Sequence, residues 1–123
     1  MNVTIEKLKP CLPTALTLKK YGMTVGDFIK LMREQDWECP VCSRNFLNWA
    51  LKPVIDHDHL TGEVRGILCA QCNTGIGLLC DELVIVERAV TYLKDPPAQR
   101  IQFEAETLAQ LMKEQLMKEV AGE

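Results

Sequence analysis

At 123 residues and a net charge of −3, the chain has room for one small domain and lacks the basic excess of a protein that coats nucleic acid indiscriminately. No apolar run is long enough to cross a bilayer, and no signal-peptide pattern opens the chain. The expectation is therefore a cytoplasmic protein whose paired cysteines are reduced metal ligands rather than disulfides.

Charge is unevenly spread. Residues 1–35 carry six Lys/Arg against three acids, and residues 81–123 carry five against nine. If the partner is nucleic acid, the basic N-terminal part is the side expected to meet phosphate.

In chain order, residues 1–13 hold two prolines and no clear period, which predicts an arm or loose lead-in. Leu16 to Tyr21 predicts a short helix ended by Gly22. Thr24 reads as an N-cap, with Asp27 three residues on completing a variant of the capping box. Val25, Phe28, Ile29 and Met32 follow at helical spacing, giving a core-facing helix to about Gln35 that Trp37 closes. Cys39-Pro40-Val41-Cys42 forms a first metal-binding hook, and Ser43 to Leu51 a loop or short turn. Lys52 to His57 and Glu63 to Leu68 have the content of two strands joined by a turn at Leu60-Thr61-Gly62. Cys69 to Leu79 opens with a second hook, Cys69/Cys72, and continues as a helix despite Gly75 and Gly77. Asp56 and His57 then lie late in the first strand and Asn73 in the helix's first turn, at one end of the unit.

Residues 82–94 predict another helix with Leu83, Val86, Ala89, Val90 and Leu93 inward. After the stop at Asp95-Pro96-Pro97, Ile101, Ala105, Leu108, Met112, Leu116 and Val120 recur at three- and four-residue steps. A helix over 98–121 is expected, packed back on its own chain or forming a dimer contact with a second copy. The domain reading is an N-terminal arm and short helix over 1–23, a zinc-stabilised domain over 24–95, and this C-terminal helix.

The chemistry lies in two sites. The array C-x2-C-x26-C-x2-C supplies Cys39, Cys42, Cys69 and Cys72, the four thiolates of a tetrahedral zinc site with no position left for water, hence structural. A redox Cys-Pro-Val-Cys would sit in a thioredoxin-like pattern that is absent here, and an iron–sulfur cluster is allowed by the ligand type, although the knuckle pairs favour zinc. Cys11 and Cys80 read as ordinary small apolar residues. The second site is Asp56-His57-Asp58-His59 with Asn73. A carboxylate and an amide oxygen make a sparse oxygen site suited to Mg²⁺, or Mn²⁺, which keeps waters and accepts phosphate oxygens. Asp56 is therefore paired with Asn73, and His57 is the candidate general base for an attacking water. The plainer readings are that the cluster forms a turn, that His57 or His59 ligates zinc, and that Asp58 caps backbone N–H groups. Arg65 would clamp a phosphate or, preferably, pair with Asp58 or Glu63 across the hairpin.

The run Asp56-His57-Asp58-His59-x-Thr61-Gly62-x-Val64-Arg65-Gly66-Ile67-Leu68-Cys69-x-x-Cys72-Asn73 resembles the signature of the recombination endonuclease VII family, within the HNH or ββα-metal nucleases. The lead-in Tyr21-Gly22-Met23-Thr24 and its helix are similar to that family's, so the resemblance covers roughly residues 20–94. It implies an α+β, mostly helical fold, in which flanking helices surround a zinc-stapled ββα-metal (HNH) core. It also implies a Mg²⁺-dependent DNA endonuclease with Asp56 and Asn73 as ion ligands, His57 as general base, and His59 holding or polarising the phosphate. Phage or prophage origin, a host-cytoplasm location, branched DNA as substrate and a homodimer are further implications. Two departures bear on substrate. Only Leu60-Thr61 separate His59 from Gly62, and the part beyond residue 95 is too short for a large junction-binding domain. A monomeric nickase of duplex DNA and a non-catalytic zinc-stabilised DNA- or protein-binding module are the alternatives.

Overall fold

The computed structural model describes residues 3–47, 51–103 and 108–122. The chain divides into two units, Met1–Val86 and Glu87–Glu123. The architecture is mixed α/β and mostly helical, with one two-stranded antiparallel sheet among the described residues.

The N-terminal segment is more ordered than its two prolines predict. Helix α1 (Ile5–Leu8) runs into a 3₁₀ turn at Lys9–Cys11. Pro10 falls in the first positions of that turn, where a missing N–H removes no internal bond. Cys11 is buried, and its thiol donates to the Phe46 carbonyl at 3.1 Å. Helix α2 (Ala15–Lys20) is capped by Thr14, whose hydroxyl accepts from the Thr17 N–H.

Helix α3 (Val25–Glu34) starts where the capping box places it. The Thr24 hydroxyl accepts from the Asp27 N–H at 3.0 Å, and the Asp27 carboxylate accepts from the Thr24 N–H at 2.9 Å. Two orphan donors of the first turn are thus satisfied by each other's side chains. Phe28 and Met32 are the buried residues of this helix. Left-handed backbone at Asp36 (φ 53°) and Trp37 (φ 60°) then reverses the chain, and the Trp37 N–H bonds back to the Met32 carbonyl at 2.9 Å, with the indole buried.

Strands β1 (Pro53–His57) and β2 (Val64–Cys69) pair from Pro53↔Cys69 to Asp56↔Gly66 in regular register. The next pair is His57↔Val64, so Arg65 is an extra residue on β2. Such a bulge bends the strand and re-aims its side chains. Between the strands, Gly62 takes φ 77° and donates to the Asp58 carbonyl at 2.8 Å. Asp58 caps the same turn, as expected, accepting from the N–H groups of Leu60 (2.8 Å) and Thr61 (3.0 Å).

The sheet is tied to α3 by one side chain. Gln35 accepts from the Ile67 N–H at 2.8 Å and donates to the Ile67 carbonyl at 2.8 Å, acting as a short third strand on β2. A Cβ added at Gly66 would lie 3.1 Å from the Gln35 amide oxygen, so the smallest residue stands where that amide approaches. The core beneath contains Phe46, Met32 and Ile67 together with Cys39 and Cys69, all essentially inaccessible.

Helix α4 (Ala70–Leu78) follows β2 without a linker and packs against both strands. It ends in left-handed backbone at Cys80 (φ 63°) and Asp81 (φ 55°), where the Asp81 N–H returns to the Ile76 carbonyl at 3.0 Å. Helix α5 (Leu83–Lys94) occupies the expected span, and its expected inner face is covered only in part. Leu83, Val90 and Leu93 are exposed, while Ile85, Val86 and Ala89 are half-buried.

In the second unit a 3₁₀ turn at Pro97–Arg100 precedes helix α6 (Leu108–Ala121), with an Arg100–Asp95 ion pair at 3.0 Å. The single helix expected over 98–121 is therefore shorter. Pro96 and Pro97 favour a tight turn before it, Ile101 lies outside it, and Ala105 lies outside the described residues.

Candidate functional site

The first cysteine hook is closed by a small bridge between Glu38 and Asn45. The Cys39 N–H donates to the Arg44 carbonyl at 2.9 Å, and the Ser43 N–H donates to the Cys39 carbonyl at 2.8 Å. Ser43 adopts φ 62°, which turns the loop tightly enough for Cys39 and Cys42 to face one point. The second hook needs no loop. Cys69 is at once the last residue of β2 and the N-cap of α4, and its sulfur accepts from the Cys72 N–H at 3.3 Å. The Cys69 N–H in turn approaches the Cys39 sulfur at 3.5 Å.

All four sulfurs lie within 4.8 Å of one another, and those of Cys42 and Cys69 are 3.8 Å apart. Zinc–sulfur bonds of about 2.3 Å at tetrahedral angles require sulfurs about 3.8 Å apart. The donor set and its spacing fit one zinc ion, with no fifth such group among the described residues. Burial opposes the Cys39 thiolate, yet N–H donors from Cys69, then Cys42 and Val41, outweigh it and bring that thiol down to about 6. Cys11 and Cys80 stand apart from the cluster. Burial pushes the Cys11 thiol up, and Cys80 is exposed rather than packed as a small apolar residue would be.

Cys69 lies opposite Pro53 at one end of the ladder, and the other candidate residues lie toward its turn end, where His57 pairs with Val64. Asp56 is the buried charged residue of β1. Its partner is Arg65: Nε donates to Oδ2 at 2.8 Å and Nη2 to Oδ1 at 3.0 Å, a bidentate fork. The same Nη2 reaches Asp81 Oδ1 at 2.7 Å. Hydrogen bonds to Asp56 and then to Asp81 hold the guanidinium above its ordinary pKa. Arg65 thus pairs with neither Asp58 nor Glu63. In an unbroken ladder Arg65 would oppose His57 and point to the other face of the sheet from Asp56; the bulge brings it round.

His57 ends β1 half-buried, its ring 5.3 Å from that of Tyr21 and 4.9 Å from that of His59, centroid to centroid. Lys20 lies over the other ring of this row, 5.4 Å from the Tyr21 centroid. Asp58 serves the turn, and N–H donors of Thr61 and then Leu60 hold its carboxyl below the usual range. An open cleft of about 410 Å³ is bordered by His59, Arg65, Cys80 and Asp81. Asn73 sits half-buried in the first turn of α4, on the helix that both strands pack against.

Asp56 is engaged by Arg65 and still carries unused acceptor capacity. A carboxylate has about four lone-pair directions, of which the guanidinium uses two, and an asparagine oxygen is a ligand of the same class. The described geometry brings together the four cysteines, the two histidines, and Asp56 with Arg65. Sequence reasoning missed Tyr21 against His57, and Asp81 on Arg65.

The recombination endonuclease VII profile matches residues 14–95. A protein named "Gene 59 protein" from Mycobacterium phage D29 is 38% identical over 86 residues, which is 68% of this chain and 51% of that one. The "Gene 59 protein" of Mycobacterium phage L5 is 37% identical over the same extent. The chain spans about half the length of these curated relatives. No solved structure matches, and no helix among the described residues is long and apolar enough to cross a membrane.

Proposed function

The chain belongs to the recombination endonuclease VII family, and from that premise we propose that it is a ββα-metal (HNH) DNA endonuclease that hydrolyses phosphodiester bonds in branched DNA. The observation that carries the reading is the turn end of the hairpin, where a buried carboxylate, Asp56, adjoins a His57–His59 ring pair, while the other end of the same hairpin is held in the four-thiolate cluster. A cluster serving only the fold has no use for that arrangement.

Asp56 and Asn73 would hold one Mg²⁺ or Mn²⁺ ion. When bound, that ion neutralises phosphate charge and stabilises the departing oxygen. The protein's own groups do the rest. His57 accepts the proton of the attacking water, since an imidazole is the side chain suited to proton transfer at neutral pH. Tyr21 and His59 flank its ring and limit its rotation. His59, exposed at the cleft, donates an N–H to the phosphate. Lys20 adds positive charge along the same row, where the strand's backbone would run. The four cysteines hold a structural zinc that fixes β2 to the start of α4. We assign α6, with its exposed Leu108, Met112, Leu116 and Val120, to contact with a second copy, so that two sites address the two strands of a branch. Phage relatives are consistent with action in a host cytoplasm.

The test is Mg²⁺-dependent cleavage of a synthetic four-way junction beside a linear duplex of the same sequence, with His57→Ala as the blank. Paired cuts near the branch, lost in His57→Ala and Asp56→Ala by more than about a hundredfold, are the expected result. Equal nicking of both substrates would replace the branched-DNA reading with a duplex nickase. Cleavage of neither by zinc-loaded protein would leave a DNA-binding module.

A further inference from the structure

Three features around Asp56 have not been accounted for by the reaction. Its carboxylate gives both oxygens to one guanidinium. The guanidinium arrives there only because β2 is one residue too long opposite Asp56/His57. The same guanidinium has a second carboxylate, Asp81, on a two-residue left-handed turn that closes α4. Bulges and left-handed non-glycine residues are unfavourable unless the surroundings require them. Here both converge on a single ion-pair triad, Asp56–Arg65–Asp81.

We infer that Arg65 is a positioning residue that competes with the catalytic ion for Asp56, and that Asp81 sets the strength of the competition by drawing the guanidinium away. This rests on Asp56 being an ion ligand, as proposed above. A bidentate guanidinium satisfies a carboxylate as a cation would, and it keeps the buried charge oriented along one plane. It also sets a positive charge beside the place where a dication must come. Asp81 offsets that charge and offers the guanidinium an alternative partner, on the cleft side where solvent and substrate have access. When an ion takes Asp56, the guanidinium can move its hydrogen bonds to Asp81, so that neither the carboxylate nor the guanidinium is left unpaired. Asp56 is thereby kept both ordered and releasable, which an isolated buried carboxylate is not.

The two partners of Arg65 make the idea testable by sign. Removing Arg65 takes away a competitor and a positive charge, so the ion binds more tightly. Removing the Asp81 charge leaves Arg65 wholly on Asp56, so the ion binds more weakly. Damage to the fold would weaken binding in both variants, and a charge acting only through space would leave binding unchanged in Arg65→Lys, which keeps the charge but loses the fork.

The experiment is Mn²⁺ binding to the zinc-loaded full chain without DNA, read by the loss of the free-ion electron paramagnetic resonance signal. Wild type, Asp56→Asn, Arg65→Gln, Arg65→Lys and Asp81→Asn are compared, each with a thermal melt. Asp56→Asn should abolish binding. Arg65→Gln should tighten it about fivefold and Asp81→Asn weaken it about fivefold, the effect of one unit charge a few ångströms away in a largely solvated site. Arg65→Lys keeps the charge but loses the fork, so it should tighten binding less than Arg65→Gln. It also stands in if Arg65→Gln does not melt cooperatively. Weakening in both the Arg65 and Asp81 variants would overturn the competition while leaving Asp56 as a ligand. Unchanged binding in Asp56→Asn, or none in wild type, would overturn the assignment of Asp56 and the competition with it.

Discussion

Gln35 and Ile67 are 32 residues apart in sequence, and two hydrogen bonds of 2.8 Å join them. Truncating Gln35 to alanine would strand both an N–H and a C=O of a fully buried residue, at about 1–3 kcal/mol for each orphaned group. Gln35→Ala should therefore lower unfolding free energy by about 3 kcal/mol in urea titration. Gln35→Glu should fail too, since a carboxylate accepts from the Ile67 N–H but has no hydrogen for the carbonyl. A loss under about 1 kcal/mol in the alanine variant would mean that water replaces the amide. Nothing in the local sequence marks Gln35, because its partner is set by tertiary packing. Arg65 was half legible: a structural ion pair was expected, but its partners depend on a bulge that no residue type announces. Asp58, whose partners are the next turn's own N–H groups, was readable because its bonds are local.

At the level of elements, β2 and α4 meet in Cys69, which ends the strand, caps the helix and belongs to the sulfur cluster. Loss of the metal would leave four thiols within 4.8 Å of one another and the helix start unsupported. Zinc sites of this type supply about 10–16 kcal/mol of apparent binding energy, as much as a small domain's whole stability. Chelation should therefore abolish the far-ultraviolet circular dichroism of the Met1–Val86 unit, and added zinc should restore it. Native spectra after complete chelation would show that the core of Phe46, Met32 and Ile67 suffices. The hooks, the capping box at Thr24 and Asp27, and the hairpin were legible because each is written in spacing over a few residues. The α1 helix was not, since Pro10 reads as a breaker until its position in the turn is known. Of the face expected to be covered on α5, Val86 and Ala89 are half-buried and Leu83, Val90 and Leu93 exposed, because helical period gives a stripe without saying how wide a neighbour will cover it.

On the scale of the molecule, the apolar face of α6 and the basic N-terminal part belong to separate units, each with its own role in the proposal. If two copies meet through α6, light scattering should give twice the mass of 13.9 kDa at micromolar concentration, and Leu116→Lys with Met112→Lys should return it to one. A wild-type monomer would remove the paired-cut expectation and leave single-strand nicking. The way the chain ends its sheet bears on the same question. A two-stranded ribbon has two free margins, and each is an invitation for a foreign strand to add on. On β2 the Gln35 amide already occupies the outward N–H and C=O of Ile67, so a strand adding there would first have to evict it. The same side chain that joins helix to sheet thus guards the protein against edge-to-edge aggregation.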